Sequence, residues 1–214
     1  MLLQQILNGL TAGSVYALIA LGYTMIYGIL GLINFAQGEI YMAGAFAAVL
    51  LLSAYKVNFF IAFLFGMGVA ALVGVVLERL AFRPLRGAHP LVPLISAIGA
   101  SILLQSLALL LFGPADRSFP IHFEFATLDL PGGVSLSTLQ LAIFGSALFF
   151  MGLLMVFVKF TKFGKAIMAT ALDQDTARLM GINVDRMISL TFLIGSALSA
   201  SACPRSPLAC SRAA

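Results

Sequence analysis

A group of polar side chains interrupts an apolar stretch near the N-terminus, where Asn34, Gln37 and Glu39 lie close together and Tyr41 follows. Amide, carboxylate and phenol groups can bind a polar or charged solute. A carboxylate inside a membrane is costly and is functional by default, so these side chains could line a route across the membrane. The alternative is that Glu39 lies at the membrane surface, where its charge costs little.

Ser101 and Gln105 form a second polar group. They are four residues apart, so they share one face of a helix. Hydrogen bonding between helices and lining of the same route both remain open. The tyrosines at positions 16, 23, 27 and 41 fit either an aromatic belt at the membrane surface or that route.

A charged segment at 164–186 differs from its apolar surroundings, because it holds six of the chain's 20 charged side chains. The pattern from Lys165 to Met180 predicts one short amphipathic helix. Gly181 suits the position just past its end, where a left-handed backbone is easy. Asn183 and Asp185 suit the start of the next helix, where their oxygens can accept unpaired backbone N–H groups.

The two faces of this predicted helix differ in polarity. Asp175 and Arg178 are three residues apart and can pair, while Asp173 lies near them. We predict that the apolar stripe consists of Met168, Leu172, Leu179 and Met180. A solvated loop, a lipid-surface anchor with a small apolar face and a docking element for a cytoplasmic subunit all remain open.

Several classes of chemistry are excluded by the residues available. The two cysteines, Cys203 and Cys210, lack metal-ligand or redox spacing, and no Ser/His/Asp or Cys/His cluster suggests an enzyme. We therefore predict no cofactor or metal. A phosphate loop of the form G-x-x-x-x-G-K-[ST] is absent, so any energy from ATP must come from another chain. The net charge of +4 gives no indication of nucleic acid.

The composition requires a surface that faces lipid. The chain has 214 residues, of which 61% are hydrophobic and only 9% are charged, whereas a soluble domain has about 25% charged residues. We predict an all-α, polytopic transmembrane helix bundle of about five to six spans. The spans are expected at about 5–29, 59–80, 91–112 and 138–158, with a short or broken one at 39–54 and a sixth from Met187 that fades by Ala200.

Small residues should form the helix contacts. Spacings of four residues place Gly9, Gly13 and Ala17 on one face, and Gly66, Ala70 and Gly74 on another. These faces are expected to pack within the subunit or against a second membrane subunit.

The loops orient the spans. Basic residues are concentrated at 79–89 and 159–186, whereas 113–137 has one, Arg117, against three acidic residues. The positive-inside rule then places the first two loops in the cytoplasm, and places 113–137 and the N-terminus outside. Glu78 and Arg79 should form a salt-bridged cytoplasmic collar with neighbouring snorkelling arginines.

The sequence of the predicted outer loop at 113–137 indicates a small external hairpin. Residues 118–125 alternate apolar and polar side chains, which is typical of a strand, and Pro-Gly-Gly at 131–133 predicts a turn. The hairpin could cap the bundle or dock an external partner protein. His122 within it is expected to be structural.

The apolar pattern fails after about Leu198, which divides the chain into a transmembrane domain at 1–200 and an atypical tail at 201–214. Pro204, Arg205 and Pro207 prevent the tail from continuing a spanning helix. One hypothesis is that a frameshift, in the gene or in the sequence record, replaced the C-terminal part. The alternative is a genuine short variant with a disordered tail.

Four stretches resemble the membrane-spanning permease of ATP-binding-cassette importers for branched-chain amino acids, and in particular the first of that system's two permease subunits. The similarity covers about residues 1–199. The stretches are INFAQGEIYMAGAF at 33–46, ERLAFRPLR at 78–86, LISAIGASILLQ at 94–105 and LMGINVDRMISLTFLIG at 179–195.

The resemblance implies that 164–186 is the cytoplasmic coupling loop, which seats a short helix in a groove of the ATPase subunit. It also implies three kinds of partner, namely a second permease, ATP-binding subunits and an extracytoplasmic binding protein. The chain itself would be a multi-pass protein of the inner membrane. The coupling candidates are Lys165, Asp173, Asp175, Arg178, Gly181, Asn183 and Asp185.

The implied substrate carries an ammonium group, a carboxylate and an apolar side chain. Glu39 could face the ammonium group while helix N-termini face the carboxylate. A stand-alone carrier or channel and a non-transporting truncated remnant remain the alternatives. The path candidates are Asn34, Gln37, Glu39, Tyr41, Ser101 and Gln105.

Overall fold

The fold is a helix bundle. The computed structural model describes residues 2–55, 58–85, 89, 91–113, 127–130 and 134–202. The described α-helices are α1 Leu2–Leu30, α2 Gln37–Tyr55, α3 Phe59–Leu77, α4 Leu91–Phe112, α5 Thr138–Phe160, α6 Lys162–Leu172, α7 Gln174–Leu179 and α8 Val184–Ala200. A π-helical turn at Glu78–Phe82 and a 3-10 turn at Arg83–Leu85 extend α3.

Three of these helices are long and apolar enough to cross a membrane, at Gln5–Leu30, Phe60–Leu85 and Leu91–Leu111. A fourth span exists if α5 and α6 count as one helix pair, bent by 79° between Phe160 and Lys162. The predicted number of five to six spans is not confirmed. The apolar part of α2 and the whole of α8 are each shorter than the roughly 20 residues that a span requires.

The last described helix, α8, lies at the centre of the bundle and packs against α1, α2 and α3. Its side chains are buried along most of its length, including Ile188, Phe192 and Ser199. Because its neighbours are protein, α8 can carry serine and threonine where a lipid-facing helix would need leucine. This explains why the apolar pattern weakens in the sequence beyond Met187.

Small residues bring the backbones of this bundle close together. A Cβ on Gly66 would lie 2.7 Å from the Gly44 carbonyl oxygen, which marks the crossing of α2 and α3. Gly74 of α3 faces Ser196 of α8 with no room for a methyl group. The predicted small-residue face at 66, 70 and 74 therefore packs within the subunit. The face at 9, 13 and 17 is exposed instead.

We predict that Gly22→Ala destabilises the bundle by about 1–3 kcal/mol, which is typical of overpacking. The new methyl group would collide with the Gly195 carbonyl oxygen and the Ser199 hydroxyl where α1 crosses α8. Unfolding of the full chain in mixed micelles, titrated with a denaturing detergent, measures the change. The matched control is Gly9→Ala on the same helix, because nothing lies within 4 Å of that site. Equal stability of the two variants would contradict this packing.

Two short strands, β1 Thr127–Leu130 and β2 Val134–Ser137, pair antiparallel with Thr127 opposite Ser137 and Leu130 opposite Val134. The predicted strand at 118–125 and the turn at 131–133 lie outside the described residues. Of the predicted tail, Ser201 and Ala202 are described and buried, and 203–214 lie outside the described residues. The membrane side on which the strand pair lies stays a prediction.

Candidate functional site

A buried polar cluster joins the start of α2 to α8. The Asn34 side chain accepts a hydrogen bond from the Ala36 backbone N–H at 3.1 Å and donates one to Gln37 at 3.4 Å. Gln37 donates to the Ser199 hydroxyl at 2.8 Å and to the Gly195 carbonyl at 3.4 Å. Asn34 and Gln37 are both almost fully buried, so these bonds satisfy amide groups that would otherwise be costly.

These bonds place the start of α2 deep in the bundle. Ser199 lies fifteen residues after Val184, which corresponds to about 22 Å along the helix axis. The chain therefore turns back inward after α1 ends at Leu30. Gly31 permits that reversal, because its φ of 65° falls in the left-handed region that favours glycine.

Glu39 faces another neighbour, the middle of α4. Ser101, near the midpoint of α4, donates a hydrogen bond to Glu39 Oε1 at 3.3 Å. The second carboxylate oxygen, Oε2, is buried without a hydrogen-bond partner among the described residues. A buried oxygen of this kind is rare in proteins and calls for an explanation. This oxygen can accept a further hydrogen bond.

An apolar cleft begins at this carboxylate. Its volume is about 560 Å³, and it lies between α2, α3 and α4. Glu39 contributes the charged group, while the other lining side chains, such as Leu50, Phe65 and Leu104, are apolar. The cleft therefore offers one anionic end and a long apolar wall.

The predicted path residues fall into two groups. Asn34 and Gln37 bond towards α8, whereas Glu39 and Ser101 bond to each other at the apolar cleft. The two remaining candidates take part in neither group. Tyr41 is buried beside Val15 and Leu18, and Gln105 is exposed on α4 without a hydrogen bond among the described residues.

The charged segment is two helices, so the prediction of one helix from Lys165 to Met180 was wrong. The backbone at Asp173 is extended, with φ −156° and ψ 114°, and it separates α6 from α7. The Asp173 carboxylate accepts from the backbone N–H groups of Asp175 and Thr176, at 2.9 and 3.2 Å, and so caps α7. Aspartate favours such caps over helix interiors because its oxygens compete for backbone donors.

Hydrogen bonds hold the pKa of the Asp173 carboxyl group below its usual value. The largest contribution comes from the Thr176 hydroxyl, and the backbone N–H groups of Thr176 and Asp175 add to it. A lowered pKa in the folded state means that the charged cap stabilises α7 at neutral pH. That contribution is lost only when the pH falls through the lowered value.

The predicted turn at Gly181, the cap at Asn183 and the pairing of Asp175 with Arg178 are confirmed. Gly181 has a φ of 81°, and the Ile182 N–H bonds back to the Ala177 carbonyl at 3.1 Å, as expected past a helix end. Asn183 caps α8 by accepting from the Arg186 N–H at 3.2 Å. Asp175 and Arg178 pair at 3.4 Å. Asp185 lies in the first turn of α8 and is 4.0 Å from Arg83.

α6 and α7 carry large apolar side chains that the rest of the described chain does not cover. We call Met168, Leu172, Leu179 and Met180 the α6–α7 patch. All four side chains are exposed, and Leu179 is 87% exposed. Ile167 and Ala177 are instead buried towards the bundle. The four residues of the predicted apolar stripe are therefore all exposed, although they lie on two helices instead of one.

The segment is fastened to the bundle at both ends and in the middle. The Thr161 hydroxyl accepts from the Gly164 N–H at 2.9 Å and fixes the bend between α5 and α6. Gln174 donates to the Ile29 carbonyl of α1 at 3.0 Å. The segment is therefore in direct contact with both α1 and α5.

Sequence reasoning missed the position of Glu78. The carboxylate is fully buried, and it accepts a hydrogen bond from the Ser189 hydroxyl at 2.7 Å. Only the apolar run before Glu78 could have indicated that it belongs to the packed part of α3. Among the described residues, no group of three or more His, Cys, Asp or Glu side chains could hold a metal ion.

Comparisons with known proteins agree on one family. The family model described as the permease component of branched-chain amino acid transport systems matches residues 5–203. The permease protein BraD of the high-affinity system of Pseudomonas aeruginosa is 43% identical over 210 residues, which cover 92% of this chain and 68% of that protein.

Two further relatives carry related names. The permease protein LivH of Escherichia coli K12 is 40% identical over 209 residues, with coverage of 92% of this chain and 68% of that protein. A probable permease protein LivH of Methanocaldococcus jannaschii is 28% identical over 187 residues, 85% of this chain and 59% of that protein. No solved structure matches. The apolar helices and these matches together make the chain an integral membrane protein that belongs to the family of branched-chain amino acid transport permeases.

Proposed function

We propose that this chain is the permease subunit of an ATP-driven importer for branched-chain amino acids and lies in the inner membrane with several spans. Family membership supports transport of this substrate class. The α6–α7 patch is the observation that carries the coupling to ATP. The chain would form the translocation path, and ATP would be hydrolysed on a separate chain.

The α6–α7 patch is suited to a protein partner. Four large apolar side chains are exposed beside Asp173, Asp175 and Arg178, which are exposed as well. A contiguous apolar surface rimmed by charged groups is typical of an interaction site. We propose that an ATPase subunit covers it, at the end of the bundle that the positive-inside rule assigns to the cytoplasm.

Force applied at the patch can reach the bundle interior. The Gln174 bond to the Ile29 carbonyl links α7 to α1, and Asn183 caps α8 directly after α7. α1 and α8 then meet where Gly22 lies against Gly195. Motion of α8 would change the Gln37–Ser199 bond at the start of α2, so the coupling end and the polar cluster share one helix pair.

Glu39 supplies the site that an amino acid would use. Its free Oε2 can accept a hydrogen bond from an ammonium group, and charge-assisted bonds of this kind are the stronger ones. The apolar cleft beside it fits an aliphatic side chain. The position of Ser101 near the middle of α4 favours a carboxylate at depth over one at the membrane surface. Asn34 and Gln37 are then proposed to shape the path by holding α2 against α8.

A second permease, ATP-binding subunits and an extracytoplasmic binding protein would complete the importer. Lys165 and Arg178 are exposed on α6 and α7 and would meet the ATPase. Asp173, Gly181 and Asn183 would act by shaping the two helices, because they form their caps and turn.

The energy source for leucine uptake, either ATP or an ion gradient, tests the proposal. Membrane vesicles from cells that express the chain at its native locus retain membrane-bound partner subunits, and the extracytoplasmic protein fraction of the same cells is added back to them. We expect leucine uptake by such vesicles to stop when ATP is depleted while the ion gradients are clamped. Vesicles from a strain without the gene provide the control. Uptake that survives ATP depletion and collapses with the gradient would identify a stand-alone carrier instead, and equal uptake in both strains would identify a non-transporting chain.

A further inference from the structure

A basic groove lies between the end of α3 and the start of α8. Its volume is about 540 Å³. We define the arginine groove by Arg79, Arg83 and Arg186 at its charged end and by Val75, Leu190 and Leu193 at its apolar end. The groove is separate from the Glu39 cleft, since no residue lines both.

The charged end has an excess of positive charge. Three guanidinium groups and one carboxylate, that of Asp185, line the groove. Asp185 lies 4.0 Å from Arg83, and both side chains are about half exposed, at 49% and 54%. A surface pair of this kind is weak, so Arg83 remains available to an anion. A second carboxylate, that of the fully buried Glu78, adjoins the groove by accepting a hydrogen bond from Ser189, which lines it.

The charged and apolar side chains of the arginine groove lie at different depths along α3 and α8. α3 ends at the level where α8 begins, as the Arg83–Asp185 pair shows. On α3 and its extension, Val75, Arg79 and Arg83 follow at intervals of four residues and share one face. On α8, Arg186 comes first and Leu190 and Leu193 follow. Both helices therefore place guanidinium groups at one level and aliphatic side chains about 6–10 Å deeper.

We propose that the arginine groove binds the headgroup of an anionic phospholipid. The phosphate would lie between Arg79, Arg83 and Arg186, where the planar guanidinium groups can each give two hydrogen bonds. The first part of an acyl chain would follow Val75, Leu190 and Leu193 into the bilayer. A soluble phosphate could use only the charged end, whereas a lipid uses the whole groove. Basic pockets between helices on the cytoplasmic side are typical sites for such headgroups.

Bound lipid would link the end of α3 to the start of α8. Arg186 also donates its backbone N–H to the Asn183 cap. The lipid would thus sit beside the point where the α6–α7 segment passes into the central helix. This proposal concerns lipid and does not depend on the substrate or on the ATPase.

Native mass spectrometry of the purified full chain in detergent tests the proposal. The probes are phosphatidylglycerol, phosphatidylcholine and inorganic phosphate. We expect phosphatidylglycerol to bind more tightly than phosphatidylcholine and to resist competition by inorganic phosphate. Arg79→Gln and Arg186→Gln should each weaken phosphatidylglycerol binding by about fivefold, because one basic residue contributes about this much to attraction of anionic lipid.

The controls separate binding from folding. Arg178→Gln removes the same charge from α7, outside the groove, and should leave lipid binding unchanged. Arg79→Lys and Arg186→Lys keep the charge and should retain most of the phosphatidylglycerol binding. In the unaltered chain, high salt should weaken this binding. These two measurements test the proposal even if a glutamine variant misfolds. Equal binding of the two lipids, full displacement by inorganic phosphate, or the same loss in Arg178→Gln would overturn the proposal.

Discussion

Glu39→Gln is expected to lower the initial rate of leucine uptake by about 10–100-fold, the effect of losing a hydrogen bond between charged groups. The substitution removes the negative charge but keeps the shape of the side chain. A glutamine oxygen can still accept the bond that Ser101 now donates to Glu39. Packing between α2 and α4 should therefore survive, while the attraction of Oε2 for an ammonium group is lost.

Radiolabelled leucine uptake in membrane vesicles, normalised to the amount of inserted chain, measures this effect. Gln105→Leu is the matched control, because Gln105 is exposed and has no hydrogen bond among the described residues. It should leave uptake unchanged. Undiminished uptake by Glu39→Gln at normal expression would remove Glu39 from the path and assign its carboxylate a structural role.

The double variant Leu179→Ser and Met180→Ser is expected to weaken co-purification of an ATPase subunit by about 100-fold or more. Each of these side chains would bury most of its surface in the interface, and burial of one such side chain contributes about 1.5–3 kcal/mol. Neither contacts the hydrophobic cores of the described bundle, so the permease itself should remain folded. ATP-dependent uptake should be lost together with the ATPase.

The control for this variant is Leu110→Ser. Leu110 is 86% exposed, close to the 87% of Leu179, but it lies near the far end of α4. Leu110→Ser should not change the amount of ATPase subunit that co-purifies with the chain in mild detergent. Scrambling 173–178, which removes the Asp173 cap and α7, should have the same effect as the double variant. Retention of the ATPase in both altered chains would exclude the α6–α7 patch as its docking surface.

Features of the charged segment that depend on residues close in sequence could be predicted from the sequence. Gly181, Asn183 and the Asp175–Arg178 pair all lie where spacing indicates, because caps and pairs involve residues within four positions. The break at Asp173 is local too and was missed. Its signal was the Asp173–Thr176 spacing, which allows one carboxylate to accept bonds from both the backbone and the hydroxyl of Thr176.

Depth in the bundle could not be predicted in this way. The hydrogen bond of Gln37 joins residues 162 positions apart, and that of Glu39 reaches 62 positions to Ser101. Apolar periodicity indicates that a helix is buried or faces lipid, but not which neighbour covers it. The sequence therefore left Glu39 between the membrane surface and the interior, and it gave no sign that Glu78 of the predicted cytoplasmic collar is fully buried.

The sequence by itself determined the class of the protein, because so few charged residues cannot cover a surface in water, and its motifs indicated the family. It also determined that the charged segment ends near Gly181 and that the next helix begins at Asn183. Tertiary structure alone decided that the short helix α8 is the centre of the bundle, that the α6–α7 patch faces outward, and that three arginines from two helices meet in one groove. The physical reason is that composition and spacing act within one helix, whereas burial and the sharing of charge depend on which helices touch.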